Sequence, residues 1–257
     1  MQKRHKDRKR YFDEQCITTQ KYVIPYINKY ASTKNITVLE IGCGEGGNLL
    51  PFLQQNCQVV GVDLAKDKIT NGKKYLSEYI NNKQCILHDE DVFKIDSLGE
   101  FDLIFYRDVI EHIKDHNKLL TFTFQHLKSG GHVFIAFPPW QNPFGGHQQM
   151  LSSFLAKIPF LHLLQNSFYK KLMELNKERA EVIAELLDLQ VSRVTVESFL
   201  ELIKASDFTL KSLRLYFINP NYEVKFNLKP VVLTRLLANI PVLRNFLSTT
   251  CYAILRK

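Results

Sequence analysis

The sequence predicts an α/β domain in which a mostly parallel sheet is covered by helices on both faces. Short apolar segments rich in β-branched residues alternate with longer amphipathic segments from about residue 36 to residue 139, and this alternation is typical of such sheets. A cluster of glycines directly follows the first of these segments, as in a tight turn between a strand and a helix. The 257 residues, 45% of them hydrophobic, suit one domain with insertions.

Seven apolar segments are predicted as strands, and the amphipathic segments between them as helices. The strands cover residues 36–41, 58–63, 85–87, 101–106, 132–137, 210–218 and 250–255. Helical periodicity covers 11–30, 66–81, 116–128 (ended by 129–131), 170–189, 195–204 and 230–247. The domain is expected to span 1–257, with an N-terminal helical cap (1–34), a helical lid insertion (140–194) and a helical insertion before the last strand (219–247).

The charge and cysteine content bear on partners and compartment. The formal net charge of +8 favours an anionic partner such as nucleic acid, phosphate or a membrane surface. Much of this charge lies in a basic segment that we interpret as a solvated terminal arm. Five cysteines without a close pair predict neither a zinc site nor a disulfide framework, and no apolar segment reaches the length of a membrane span. We therefore expect a cytoplasmic protein. The arm contains Lys3, Arg4, Lys6, Arg8, Lys9 and Arg10.

The glycine cluster follows the first predicted strand and is the clearest candidate binding site. Glycines at 42, 44, 46 and 47 permit positive φ and let backbone N–H groups approach a ligand, next to the positive end of a helix dipole. Asn48 is expected to cap that helix. Asp63 ends the next strand, close to the spacing of an acid that binds ribose. The spacing Gly42-x-Gly44-x-x-Gly47 alone also fits a dinucleotide site, so a nicotinamide or flavin cofactor stays open.

Three further features favour a methyl donor over a dinucleotide. Glu40 lies two residues before the first glycine, where a carboxylate can meet an amine-bearing ligand. The acidic loop 88–92 follows the third strand, and its Asp91 can accept a hydrogen bond from an adenine amino group. The chain closes with a helix, a strand, a helical insertion and a strand, which suits an antiparallel last strand.

The segment 36–139, together with the tail, resembles the class I S-adenosylmethionine-dependent methyltransferases, most strongly the ubiquinone-biosynthesis-like and small-molecule O-methyltransferases. Five motifs carry the resemblance in order: VLEIGCGEG, VVGVDLAKDKI, HDEDVF, FDLIFYRDVIEHI and LKSGGHVFIAFPP. The resemblance implies a Rossmann-like, doubly wound sheet of seven strands with an antiparallel last strand. It also implies S-adenosyl-L-methionine as the methyl donor and a small-molecule acceptor.

The resemblance assigns donor contacts residue by residue. Glu40, Gly42 and Gly44 would surround the methionine part, with Cys43 between them as a small loop residue. Asp63 and Leu64 would hold ribose and adenine, Asp91 and Val92 would contact the adenine edge, Arg107 would lie near the methionine part or the acceptor, and Tyr11 would cover the donor.

Two histidines are candidates for a general base that takes the proton of an acceptor hydroxyl. His112 follows the fourth strand, with a structural role as its alternative, and His147 follows the fifth and is favoured. The loop around His147 reads either as an aromatic-walled acceptor loop with glycine hinges or as a packed turn; its residues are Trp140, Phe144, Gly145 and Gly146. No acid pair suited to magnesium follows these strands, so no metal is expected.

The acceptor is expected to be a metabolite, a sugar or glycan component, or a lipid-linked molecule, methylated on oxygen. The motifs of nucleobase-methylating enzymes are absent, which disfavours nucleic acid. Apolar pieces at 158–164 and 240–247 either pack on the domain or on a second subunit of a homodimer, or contact a membrane interface. An oxidoreductase and a non-catalytic donor-binding protein are the alternative functions.

Overall fold

The computed structural model describes residues 7–257, so Lys3, Arg4 and Lys6 of the predicted arm lie outside the described residues. These residues form one eight-stranded sheet in the order β3-β2-β1-β4-β5-β8-β6-β7. The pairs among β1 to β5 are parallel, whereas β8 runs antiparallel to both β5 and β6. The strands are β1 Thr37–Ile41, β2 Gln58–Val62, β3 Cys85–His88, β4 Phe101–Arg107, β5 Leu127–Phe137, β6 Thr209–Ile218, β7 Val231–Val232 and β8 Thr250–Arg256.

Helices cover both faces of the sheet and build the insertions. A π-helical turn at Thr19–Val23 joins the first two helices, and five short 3-10 segments lie in loops: Val92–Lys94, Ile110–His112, Gln148–Met150, Phe154–Lys157 and Leu161–Leu163. The helices are α1 Arg8–Thr18, α2 Ile24–Ile27, α3 Leu50–Leu53, α4 Lys66–Tyr75, α5 Ser77–Asn81, α6 His116–Gln125, α7 Asn166–Leu175, α8 Ala180–Leu189, α9 Val196–Lys204, α10 Asn221–Phe226, α11 Arg235–Ala238 and α12 Leu243–Leu247.

The predicted α/β architecture with an antiparallel last strand is confirmed, and the strand count differs by one. The extra strand, β7, has two exposed residues and pairs with the end of β6 at the sheet edge. It lies inside the segment 230–247 that was expected to be helical throughout. Proline at 230 and 241 and a left-handed backbone at Val242 (φ +66°) break that helix into α11 and α12.

Two other boundaries differ from the prediction for local reasons. β5 begins at Leu127 and contains 129–131, because Leu127 pairs with Phe101 and Lys128 binds Asp102 at 2.8 Å. The predicted helix 170–189 is split into α7 and α8 by a left-handed Lys177 (φ +56°). At the same break, the buried Glu178 accepts hydrogen bonds from Ser152 and Ser153 instead of continuing the helix.

Each face of the sheet packs its own apolar core, and the lid has a third. One sheet face buries residues such as Ile104 and Phe199, and the other buries residues such as Phe52 and Phe105. The lid cluster is centred on Tyr169 and Leu186. The lid therefore folds on an apolar core of its own beside the carboxyl edge of the sheet. Within residues 7–257, no helix is long and apolar enough to span a bilayer.

Candidate active site

A cavity of about 490 Å³ opens at the carboxyl edge of the parallel strands, where open α/β sheets bind their ligands. Its floor comes from the loops after β1 and β2, one wall from the loop after β4, and its cover from α1. Most of the predicted donor-binding residues lie on its surface. They are Tyr11, Gly42, Gly44, Asp63, Leu64, Asp91, Val92 and Arg107.

The glycine loop is held to the end of β2 by Asp63. One carboxylate oxygen of Asp63 accepts a hydrogen bond from the Gly44 amide (2.8 Å), and the other accepts one from the Ala65 amide (2.8 Å). Gly42 (φ +73°) and Gly44 (φ +57°) both lie in the left-handed region, where glycine is favoured. Each Asp63 oxygen keeps a lone pair for a ligand hydroxyl.

An apolar slot lies beyond Asp63. Leu64 is 76% exposed although it is a large apolar residue, and with Val92 and Phe93 it lines this end of the cavity. Asp91 caps the short helix there by accepting a hydrogen bond from the Phe93 amide (3.1 Å). The slot therefore offers apolar surfaces and one carboxylate, which suits a flat aromatic ring that carries an amino group.

The opposite end of the cavity is positively charged. Arg107 donates hydrogen bonds to Asn48 (2.8 Å), Thr19 (3.2 Å) and Asn221 (2.8 Å). All three acceptors are uncharged, so the guanidinium charge is not neutralised by a carboxylate in this network. A ligand carboxylate at this end would complement it.

Glu40 and Cys43 lie behind the cavity wall rather than on it. Both are fully buried and neither lines the cavity. One Glu40 oxygen accepts a hydrogen bond from Asn48 (2.7 Å), and burial raises the pKa of Glu40 to about 8. Burial likewise keeps the pKa of the Cys43 thiol well above its usual value. In the structure Glu40 binds Asn48 through one oxygen, and Cys43 lies beside Gly61. Direct donor contact by these two residues stays a prediction.

The first helix closes the cavity. Tyr11 and Arg8 line it, and burial raises the pKa of Tyr11 to about 12, so the phenol stays protonated. Arg8 forms an ion pair with the fully buried Glu45 of the glycine loop. The interpretation of a solvated arm is therefore wrong for Arg8, because burial of Glu45 favours its pairing with a cation.

The two predicted histidines meet beside the cavity. His112 lines it, and the His147 ring lies behind with its centroid 5.0 Å from that of His112. Burial is the main cause of the lowered pKa of both rings. Together with the neighbouring His147, it lowers the pKa of His112 to about 4. The Asp108 carboxylate opposes the lowering at both rings. Both imidazoles are therefore neutral at pH 7.

The loop before His147 is a packed turn, not a hinge. Trp140 is buried, and its carbonyl oxygen is 2.7 Å from His162 Nε2. A side chain at Gly145 would overlap the Trp140 backbone, and one at Gly146 would overlap the His162 ring. Trp140 and the glycines are absent from the wall of this cavity, and Trp140 instead lines a second cavity with His162 and Gln190. The packing of Gly145 and Gly146 supports the packed-turn alternative.

Several cavity residues were not predicted from the sequence. Asn48 was expected to cap a helix, but α3 begins at Leu50 with no side-chain cap, and Asn48 instead links Glu40 to Arg107. Asn221 reaches the site from the second insertion, 114 residues from Arg107, and no local pattern marks it. Asp108 could have been suspected because it directly follows β4.

The chain matches known methyltransferases over its first two thirds. A family model described as a methyltransferase domain matches residues 16–189, more than half of the chain. The ubiquinone biosynthesis O-methyltransferase of Bartonella tribocorum (strain CIP 105476 / IBS 506) is 33% identical over 103 residues, 40% of this chain and 41% of that protein. The phosphoethanolamine N-methyltransferase 2 of Caenorhabditis elegans is 32% identical over 101 residues, 38% of this chain and 23% of that protein. The chain spans less than half the length of these relatives.

Solved structures share the fold over nearly the whole chain. The plantazolicin methyltransferase in complex with S-adenosylhomocysteine aligns with a TM-score of 0.54 at 15% identity, covering 99% of this chain and 86% of that one. The magnesium protoporphyrin IX methyltransferase from Synechocystis PCC 6803, also with bound S-adenosylhomocysteine, aligns with a TM-score of 0.53 at 10% identity, covering 93% and 81%. The sheet order, the glycine loop and the family match agree, and the chain belongs to the class I S-adenosylmethionine-dependent methyltransferases.

Proposed function

We propose that this chain transfers the methyl group of S-adenosylmethionine to an oxygen atom of a small-molecule acceptor. The observation that carries the proposal is the position of Asp63, which holds the glycine loop through Gly44 and faces the cavity with free lone pairs. The named relatives include both an O-methyltransferase and an N-methyltransferase, so their names leave the acceptor atom open.

The cavity suits each part of the donor. The lone pairs of Asp63 would accept hydrogen bonds from the two ribose hydroxyls. Leu64, Val92 and Phe93 would pack against adenine, and Asp91 would accept a hydrogen bond from its amino group. The Arg107 guanidinium, whose hydrogen-bond acceptors are all uncharged, would bind the carboxylate of the methionine part.

The chemistry needs alignment and one proton acceptor. The acceptor oxygen attacks the methyl carbon while the carbon–sulfur bond breaks, and the electron pair of that bond stays on sulfur as a neutral thioether. The acceptor hydroxyl loses its proton in the same process. His112 lines the cavity with a neutral imidazole, so it is placed to take this proton, with His147 beside it. An amine acceptor would need such a base less, which is why we favour oxygen.

We propose that the second insertion (219–247) contacts a lipid-linked acceptor or a bilayer. Its exposed apolar side chains include Leu236 (82%) and Val242 (58%), and between residues 219 and 247 the sequence has four cations and one carboxylate. Apolar groups among basic ones are typical of contact with an anionic membrane interface. Asn221 connects this insertion to the donor cavity, because it accepts a hydrogen bond from Arg107.

Transfer of labelled methyl groups tests the proposal. The protein is incubated with methyl-labelled S-adenosylmethionine and separate pools of phenols, sugars, lipid-linked acceptors and amines. We expect label in one pool, abolished by Asp63→Ala and retained by Asp67→Ala, because Asp67 is exposed and lies off the cavity. Label that appears only on amine acceptors would contradict the assignment to oxygen, and label that persists in Asp63→Ala would contradict the donor site.

A further inference from the structure

Three neighbouring side chains next to the donor cavity are of kinds that commonly bind metal ions. Glu111 and His112 lie in the 3-10 turn after β4, and His147 lies after β5. Each offers one ligand atom, and these three atoms all lie within 4.8 Å of one another. The set therefore lies on two neighbouring loops at the edge where an acceptor would enter.

Glu111 is the unusual member of this set. Its side chain is buried (5% exposed), and within residues 7–257 neither of its carboxylate oxygens has a hydrogen-bond partner. The carboxylate of Asp108 is an electrostatic neighbour of the same sign. A buried carboxyl group without a partner is costly, and a nearby second acid increases the cost unless a cation binds between them. Ser192 donates a hydrogen bond to the Glu111 carbonyl oxygen (2.5 Å) and so fixes this backbone.

The two imidazoles have unused nitrogen atoms. Their planes are 32° apart, and among the described residues no hydrogen bond engages a ring nitrogen of His112 or His147. Three other histidines differ in this respect: His116, His126 and His162 each have a ring nitrogen within hydrogen-bond distance of a backbone carbonyl oxygen. His112 and His147 thus each offer a ring nitrogen within 4.8 Å of an unpaired Glu111 carboxylate oxygen.

We propose that Glu111, His112 and His147 bind a divalent transition-metal ion of the zinc type beside the methyl-donor cavity. Two imidazoles and one carboxylate are ligands that Zn²⁺ and similar ions accept. In a tetrahedral site with metal–ligand distances of about 2.1 Å, the ligand atoms lie about 3.4 Å from one another. The three ligand atoms must therefore move slightly closer together when an ion binds. His112 is open to the cavity and can rotate to do so.

Such an ion changes the expected roles of the histidines. Three protein ligands would leave a coordination position open, and His112, which lines the cavity, would bring the ion next to the acceptor. An acceptor hydroxyl bound there would lose its proton more readily, because the ion stabilises the oxyanion. The histidines would then act as ligands, and the Asp108 carboxylate on the cavity wall or solvent water would take the proton that His112 takes in the metal-free site. The expectation of no metal considered only acid pairs for magnesium, and this set of one carboxylate and two imidazoles is a different kind of site.

Binding of Co²⁺ to the whole, chelator-treated protein tests the proposal, because Co²⁺ replaces Zn²⁺ and its visible spectrum reports nitrogen and oxygen ligands. We expect one Co²⁺ per chain, displaced by one equivalent of Zn²⁺. His112→Gln and His147→Gln should each weaken binding at least 100-fold. His126→Gln is the matched control, since its ring contacts the Phe122 carbonyl oxygen away from the cavity, and it should bind as the wild type does.

Glu111→Gln separates a ligand role from a structural one. It should weaken Co²⁺ binding at least tenfold, yet the metal-free variant should melt at or above the wild-type temperature, because it removes a buried acid without a partner. A wild type that binds no stoichiometric Co²⁺, or histidine variants that are folded and bind it unchanged, would overturn the proposal. Co²⁺ binding needs neither methyl donor nor acceptor, so this outcome is independent of the proposed activity.

Discussion

Replacement of Gly44 by alanine should separate donor binding from stability. Gly44 has φ +57°, and a Cβ there would meet only the Lys68 side chain, at 3.9 Å, so it would project into open space at the cavity wall. The left-handed backbone costs alanine about 1 kcal/mol. The Gly44 N–H stays bonded to Asp63, so the added methyl group would act by taking up space that a ligand would otherwise fill at the cavity wall. Such steric overlap costs about 1.5 kcal/mol and weakens binding about tenfold.

Two other glycines supply the comparison. Gly99 has φ +83° with nothing within 4 Å of a Cβ, and it lies outside the cavity. Gly99→Ala should therefore lose about 1 kcal/mol of stability and no donor affinity. Gly42→Ala adds overlap with Val109 to the same backbone cost, so it should lose about 1–3 kcal/mol more.

Urea unfolding gives the stability of the three variants, and calorimetry with S-adenosylhomocysteine gives their affinity. The reasoning is refuted if Gly44→Ala binds S-adenosylhomocysteine as tightly as the wild type does. It is equally refuted if Gly42→Ala is no less stable than Gly99→Ala.

Three further changes test the insertions and the lid. Asn221→Ala removes an acceptor of Arg107 and should weaken S-adenosylhomocysteine binding about threefold to tenfold, because the loss of about 0.7–1.4 kcal/mol is that of one typical hydrogen bond; unchanged affinity in calorimetry would contradict a role of the second insertion. Hydrogen bonds from Ser152 and Ser153 outweigh burial and hold the pKa of Glu178 at about 2, against an ordinary 4.5. The stability advantage of wild type over Glu178→Gln should therefore be full above pH 4.5 and shrink as pH falls toward 2; a difference in unfolding free energy that grows on acidification would be inconsistent with this. Leu236→Glu should reduce co-sedimentation with anionic vesicles at least threefold, and equal sedimentation would rule out this apolar surface as a membrane contact.

The parts of the molecule that the sequence predicts are those decided by local pattern. The run of β1 into the glycine loop and Asp63 at the end of β2 follow from apolar segments, glycine conformation and spacing. The alternation of strands and helices predicts the parallel sheet, and the helix–strand–insertion–strand ending predicts the antiparallel β8. These features depend on local patterns and on their order along the chain.

The rest depends on tertiary contacts that no local pattern carries. Asn221 meets Arg107 across 114 residues, and Arg8 meets Glu45 across 37. The break between α7 and α8 arises where Glu178 leaves the helical pattern to bind Ser152 and Ser153. In each case a buried polar group selects a distant partner, and this requirement overrides helical periodicity or the expected exposure of a charge.

Calorimetric titration of S-adenosylhomocysteine into the wild type and Asp63→Ala tests the donor site most directly. Asp63 would accept two ribose hydrogen bonds and also fixes Gly44. Each hydrogen bond to its charged carboxylate would contribute about 1.5 kcal/mol or more to the binding free energy. We therefore predict one micromolar site per chain in the wild type and at least 100-fold weaker binding in Asp63→Ala. A folded wild type that does not bind S-adenosylhomocysteine, or an Asp63→Ala variant that binds it equally well, would contradict the account.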